Sequence, residues 1–233
     1  MYLSQFIKEY YRKTPRTRLS TAIKTFWLWR KSLIEKKSAL DYELPWINLP
    51  AIYYLKKHLK KNSKIAEFGA GGSTLFFIAD STLLVTFEHD KKWFKKINDV
   101  ILKKKLTKKW RPYLIEPEFR KTKIHDFSNP ESYQSSDTKK LSFKKYASKI
   151  EDYPAGFFDA VLVDGRARPS CVKHAAAKIR VGGILILDNT ERDYYTSDET
   201  KKHLVKMKCT FSFFGPVIGL NEFTKTNIYK KID

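Results

Sequence analysis

The spacing of apolar positions changes several times along the chain, and each change marks an element. KIAEF (64–68), LLVTFEH (83–89) and PYLIE (112–116) read as short strands. FDAVLVDG (158–165) and GGILILDN (182–189) are apolar almost throughout, as strands buried on both faces are. Between these runs the spacing turns helical: over 74–79, over 91–105 with Trp93, Phe94, Ile97, Ile101 and Leu102, and over Cys171–Ile179. Strands alternating with helices predict a mostly parallel sheet covered on both faces. The stretch CTFSFFGPVIGLNEFTKTNIYK (209–230) predicts two more strands around a Gly/Pro/Asn loop, an antiparallel hairpin at the sheet edge.

Upstream, LSTAIKTFWLWRKSLI (19–34) sets Leu19, Ala22, Ile23, Phe26, Trp27, Arg30, Leu33 and Ile34 at helical spacing, a stripe apolar except for Arg30. This amphipathic helix is expected to pack on the domain. The alternative is a position on a membrane surface, with Trp27 and Trp29 near the headgroups. A second helix is expected to start at Pro50, with Ile52, Leu55 and Leu59 on one face. Residues 120–150 are polar and rich in Ser and Lys, and read as an insertion or mobile loop. The expected organisation is a basic helical extension over 1–44 and one α/β domain over 45–233.

Composition narrows the class. Of 233 residues, 42% are hydrophobic, enough for a packed core. There is no apolar run of the roughly 18 residues that a spanning helix needs, and no secretory-signal pattern at the start. Cys171 and Cys209 are the two cysteines, without metal-site spacing, and suggest reduced thiols and a cytoplasmic location. The net charge of +21 is unevenly placed. Residues 1–64 carry 15 basic and 4 acidic side chains, and residues 91–123 carry 13 and 3. Residues 65–90 carry no basic and 4 acidic side chains. The basic blocks suit an anionic partner, a lipid headgroup, nucleic acid or an acidic glycan, or else form a lysine-rich solvated face with no specific partner. No nucleic-acid motif accompanies them, so specific nucleic-acid binding is not expected.

The acidic stretch holds the clearest chemistry. In AEFGAGGST (66–74), Gly69 and Gly71 follow a strand and lead into a helix, so a ligand can approach bare backbone and free N–H groups. Glu88 ends the next strand, where a carboxylate can accept from both ribose hydroxyls. A nicotinamide dinucleotide and S-adenosylmethionine (SAM) both fit that outline, and an ordinary tight turn at Gly71–Gly72 is the bland alternative. Thr74 stands where the dinucleotide motif has its third glycine. Glu67 would sit poorly beside a diphosphate, but suits a ligand with an amino group and a sulfonium.

On these motifs the chain resembles the class I SAM-dependent methyltransferases. AEFGAGGST corresponds to their first SAM loop, TFEHD (86–90) to the ribose acid, AVLVDGRARPSC (160–171) to the fourth strand and VGGILILDN (181–189) to the fifth. Within them it is similar to a small bacterial group with E-x-G-x-G-G-S-T, E-H-D and D-G-R-x-R. Ser73 departs from the third glycine that many members carry. The resemblance implies a Rossmann-like methyltransferase fold and SAM contacts from Glu67, Gly69, Gly71, Ser73, Thr74 and Glu88. Beside these, His89 is a candidate for the adenine or for a structural place, and Asp164 a candidate for the sulfonium side of SAM.

Asp164, Asp188 and Asn189 fall at the ends of adjacent predicted strands. Their hard oxygen donors would suit Mg²⁺ or Mn²⁺, and the catechol-type O-methyltransferases are similar in that placement. Direct contact of Asp164 with ligand, and a turn at Asp188, is the alternative. Asp164 is the candidate base. Arg166 and Arg168 are the candidate grip on an anionic small-molecule or glycan acceptor, unless they pair with Asp164 or Glu191. Tyr194–Tyr195 are candidates for an acceptor pocket, His125–Asp126 for an adenine wall, and His174 reads as structural. The expected reaction is methyl transfer, by preference to oxygen. The rivals are a NAD-linked oxidoreductase and a basic module with a degenerate SAM fold, docked on membrane or nucleic acid.

Overall fold

The computed structural model describes residues 2–14, 17–120, 126–138 and 140–233. Three helices come first: α1 (Tyr2–Glu9), α2 (Leu19–Glu35) and α3 (Leu49–His58). Asn48 caps α3 by accepting from Ala51 N–H at 3.0 Å, with Pro50 in the first turn, as its sequence predicts. The alternating region follows as β1 (Ser63–Phe68), α4 (Gly72–Asp80), β2 (Ser81–Glu88), α5 (Lys91–Lys103) and β3 (Trp110–Leu114). A small ribbon of β4 (Glu118–Phe119) and β5 (Leu141–Ser142) leads to α6 (Lys144–Ser148). Then come β6 (Phe158–Val163), α7 (Arg168–Ala175), β7 (Ile179–Leu187), α8 (Asp198–Lys201), β8 (Met207–Pro216) and β9 (Phe223–Lys231).

Seven strands form one sheet in the order β3-β2-β1-β6-β7-β9-β8. The first five are parallel, and β9 runs antiparallel between β7 and β8. The C-terminal hairpin is therefore present, but it is inserted so that β8 alone forms that edge. This is the Rossmann-like methyltransferase fold. Side chains alternate between two cores, as the pleat requires. Ala160 and Leu162 of β6 face the cluster built with α2 to α5, whereas Val161 and Val163 face α6 and α7.

Two expectations need correction. The buried face of α2 is Ala22, Thr25, Trp29 and Ser32; of the stripe drawn from sequence, Ala22, Phe26 and Leu33 pack on the core, whereas Leu19, Ile23, Trp27 and Ile34 stay exposed. Trp29 is buried and donates from its indole N–H to the Leu220 carbonyl at 2.8 Å. The predicted stripe missed it because Thr25 and Ser32 count as polar, yet each hydroxyl is satisfied inside the helix, by the carbonyls of Thr21 and Trp29. The second correction concerns 120–150. Phe143, Tyr146, Ala147 and Ile150 recur at helical spacing and are fully buried in the second core. Intervening lysines and serines hid that pattern.

Candidate functional site

The strand order reverses between β1 and β6, and ligands of open α/β sheets bind outside the strand ends at such a point. A cavity of about 650 Å³ lies there, lined by the glycine loop, Glu88, His89, Asp164, Asp188 and Asn189. Gly69 has φ +97°, and a Cβ there would press on the backbone of Gly165 across the reversal. Gly72 is needed for a different reason. A Cβ on it would run into the carbonyl oxygens of Ala39 and Leu44. The segment after α2 is thus seated directly on the glycine loop, and Ser38, Ala39 and Leu40 join the cavity wall.

Glu67 lies behind the loop. One carboxylate oxygen accepts from Ser73 Oγ at 2.6 Å, and the other from Thr74 Oγ1 at 2.6 Å and Thr86 Oγ1 at 2.8 Å. Thr74 in turn accepts from Gly71 N–H at 3.0 Å, and Thr86 from the Trp110 indole at 2.8 Å. Burial pushes the Glu67 carboxyl up to about 7, against the pull of its three hydroxyl donors. Glu67 and Thr74 therefore brace the loop from beneath. Gly69, Gly71, Ser73, Glu88, His89 and Asp164 face the cavity.

Glu88 has the opposite character. One oxygen accepts from Ala70 N–H at 2.7 Å, and the other from the N–H groups of His89 and Asp90 at 2.7 and 2.8 Å. The His89 ring stands 3.0 Å from it, close but not aligned as a hydrogen bond. Burial alone would raise the carboxyl; the His89 ring and the backbone donors outweigh it and hold it below the ordinary glutamate range. Trp93 on α5 adds a clip the sequence did not reveal, donating from its indole to the Ala70 carbonyl at 2.6 Å. Its side chain also lines the cavity.

At the other end, Arg168 is buried and fully engaged. It donates to Asp164 Oδ1 and the Asp164 carbonyl, both at 2.9 Å, to the Gly165 carbonyl at 3.1 Å and to the Asp188 carbonyl at 2.6 Å. The Asp188 carboxylate is 3.7 Å away and accepts from Thr226 Oγ1 at 2.5 Å. Burial raises both carboxyls, Asp164 strongly and Asp188 to about 6; Arg168 pulls each of them down, and the Asp188 charge pushes Asp164 higher.

This geometry corrects the reading of Arg168 as an acceptor grip, because its donors are spent inside the protein. It also leaves no place for the expected Mg²⁺ or Mn²⁺. A guanidinium already stands between Asp164 and Asp188, and Asn189 adds a turn residue at φ 55°. Among the described residues no three His, Cys, Asp or Glu side chains gather as a metal site. Arg166 is half-exposed at the cavity and pairs with Asp137. Arg192 and Tyr195 line the same end, whereas Tyr194 is not on the wall. His174 is held between Glu151 and Tyr133, a structural position. His125 lies outside the described residues, and Asp126 binds Ser128.

No protein-family model matches the chain, and no curated protein matches it in sequence. Solved structures do. TrmN from Thermus thermophilus superposes with a TM-score of 0.53 at 11% identity, over 78% of this chain and 48% of that one. The chain thus spans about half the length of that relative. A candidate rRNA-methylase from Clostridium thermocellum superposes with a TM-score of 0.50 at 14% identity, over 84% of this chain and 97% of that one. At such identities the likeness is one of fold, and the structural neighbours are methyltransferases of the class I fold.

Proposed function

We propose that this protein is a SAM-dependent methyltransferase whose acceptor carries negative charge and is methylated by preference on oxygen. The observation that carries the reading is the pairing of a bare glycine loop with Glu88 on one cavity wall. Glu88 stays ionised because the His89 ring and backbone N–H groups hold it, and the oxygen that accepts only from Ala70 N–H keeps a lone pair for a ribose hydroxyl. Thr74, locked to Glu67 and to Gly71 N–H, stands where a dinucleotide motif needs its third glycine and disfavours a dinucleotide there. SAM, when bound, supplies an activated methyl group.

The residues of this chain do the positioning, which supplies much of the rate in a displacement between two bound reactants. The glycine loop and Trp93 fix the cofactor end. Asp164, oriented by Arg168 at the cavity wall, is the candidate to take the acceptor proton. Arg192 at the open end, and Arg166 if an acceptor displaces Asp137 from it, supply the positive charge for an anionic acceptor. An RNA acceptor is the second reading. The excess of lysine over 91–123 and the rRNA named for the Clostridium thermocellum neighbour favour it.

Calorimetric titration with SAM, S-adenosylhomocysteine and NAD tests the reading. Micromolar binding of the first two and none of NAD is expected, with transfer of labelled methyl to an acceptor panel that includes RNA. NAD binding with no adenosyl binding would discard it.

A further inference from the structure

Helix α2 has two apolar faces, and the fold uses one. Ala22, Thr25, Trp29 and Ser32 are buried against the domain. The opposite side carries Leu19, Ile23, Trp27 and Ile34, exposed to 62, 48, 57 and 55%. Over 17 residues this stripe runs for about 25 Å. The neighbouring α1 also carries exposed apolar residues, Leu3 and Ile7, one turn apart.

Cations border the stripe. Lys24 and Lys31 are exposed, and the Arg30 guanidinium lies 5.6 Å from the Trp27 ring. No acidic residue occurs between Tyr10 and Ile34. Glu35, at the end of the helix, is answered by Lys37 at 3.0 Å and Lys31 at 3.7 Å. An exposed aliphatic and indole stripe within a one-signed basic border is the pattern of a helix lying in a lipid interface.

We propose that the outer face of α2 docks on an anionic bilayer surface. Leu19, Ile23, Trp27 and Ile34 would enter the headgroup–acyl boundary, with Lys24, Arg30 and Lys31 on lipid phosphates. The chemistry favours lipid over the other occupants. A second copy of the chain would bring two net-basic faces together, Lys24, Arg30 and Lys31 outnumbering Glu35 on each, at a repulsive cost. RNA would use the cations but gain nothing from Leu19, Ile23 and Ile34. Trp29, an anchor candidate by sequence, is excluded by its burial. Among the described residues no helix is long and apolar enough to cross a membrane, so the contact is peripheral.

The test uses the full chain with vesicles of phosphatidylcholine alone or mixed in equal parts with phosphatidylglycerol. Co-sedimentation is expected with the mixed vesicles, weakening as salt rises. Ile23→Ser/Trp27→Ser should weaken it roughly tenfold or more. Both side chains are exposed, and unchanged circular dichroism and SAM binding would show an intact fold. Brominated acyl chains should quench tryptophan fluorescence, and Trp27→Phe should remove that quenching. Failure to bind mixed vesicles overturns the proposal, as does binding that ignores the double substitution. So would RNA binding or self-association that the double substitution abolishes, because the face would then belong to RNA or to a second copy.

Discussion

Arg168 donates to both the carboxylate and the main-chain carbonyl of Asp164, each at 2.9 Å. It therefore fixes the side chain and its backbone support together. Its remaining bonds reach the ends of two strands, so a single guanidinium ties β6 to β7 at the mouth of the site. Replacing it with Leu leaves two buried carboxyls facing each other. A stability loss of about 3–5 kcal/mol is expected, measured by urea denaturation. Arg168→Lys should recover part of it. A loss under about 1 kcal/mol would remove Arg168 from this role.

The same guanidinium answers the charge that a dication would otherwise supply. Methyl transfer and SAM affinity are accordingly expected to survive exhaustive treatment with EDTA. Activity that vanishes with chelation and returns with Mg²⁺ would mean that Arg168 swings away to admit a metal.

Much of this was legible in the sequence, and the omissions share one cause. Strands, glycine loop and the glutamate that ends β2 declare themselves within a few residues, through periodicity and local turn chemistry. Trp93, Ala39 and Arg168 act through partners distant in the chain or on a neighbouring turn, and nothing local distinguishes them from ordinary helix or loop residues. Arg168 looked like a ligand grip because a charged residue beside a functional acid usually reads that way. Burial decided otherwise. The inner face of α2 was obscured similarly, since a threonine or serine that satisfies itself within a helix behaves in packing as a small apolar residue.

Gly71 and Gly72 are adjacent but should respond differently to alanine. At Gly71 the backbone is extended and a methyl group meets open space, so stability should hold while the methyl intrudes on the ligand. SAM affinity should fall about tenfold or more. At Gly72 the methyl meets two backbone carbonyls of the segment after α2, which cannot yield as a side chain can. About 1–3 kcal/mol of stability should be lost. Thermal melts and calorimetry on the pair separate the effects. Equal melting temperatures would refute the seating of that segment on the loop.

Trp93→Phe keeps the ring and deletes the indole donor to Ala70. One buried hydrogen bond is worth about 1 kcal/mol. Because the acceptor lies in the glycine loop, SAM affinity is expected to weaken by roughly threefold to tenfold, with smaller change in unfolding free energy. A variant with wild-type affinity would leave Trp93 as packing alone.

Glu67 and Glu88 are both buried within one loop's reach, yet their proton affinities move in opposite directions, and stability should record it. Glu67 rises from 4.5 to about 7 on folding, so the folded state binds its proton more tightly than the unfolded chain does. Its contribution is complete below pH 4.5 and is lost as pH rises towards 7, by about 3 kcal/mol at most. Glu88 is lowered, so its contribution is present above 4.5 and lost as the pH falls below it. Glu67→Gln removes the first titration. Its stability relative to wild type should climb between pH 4.5 and 7 and then level off. Glu88→Gln should instead be a destabilising change over that window, easing only in acid. Asp188 titrates in all three proteins and cancels in the differences. Urea denaturation from pH 4 to 8 measures the curves. If the Glu67→Gln curve runs parallel to wild type throughout, Glu67 binds its proton no more tightly in the fold than in the unfolded chain, and the hydroxyls of Ser73, Thr74 and Thr86 offset its burial.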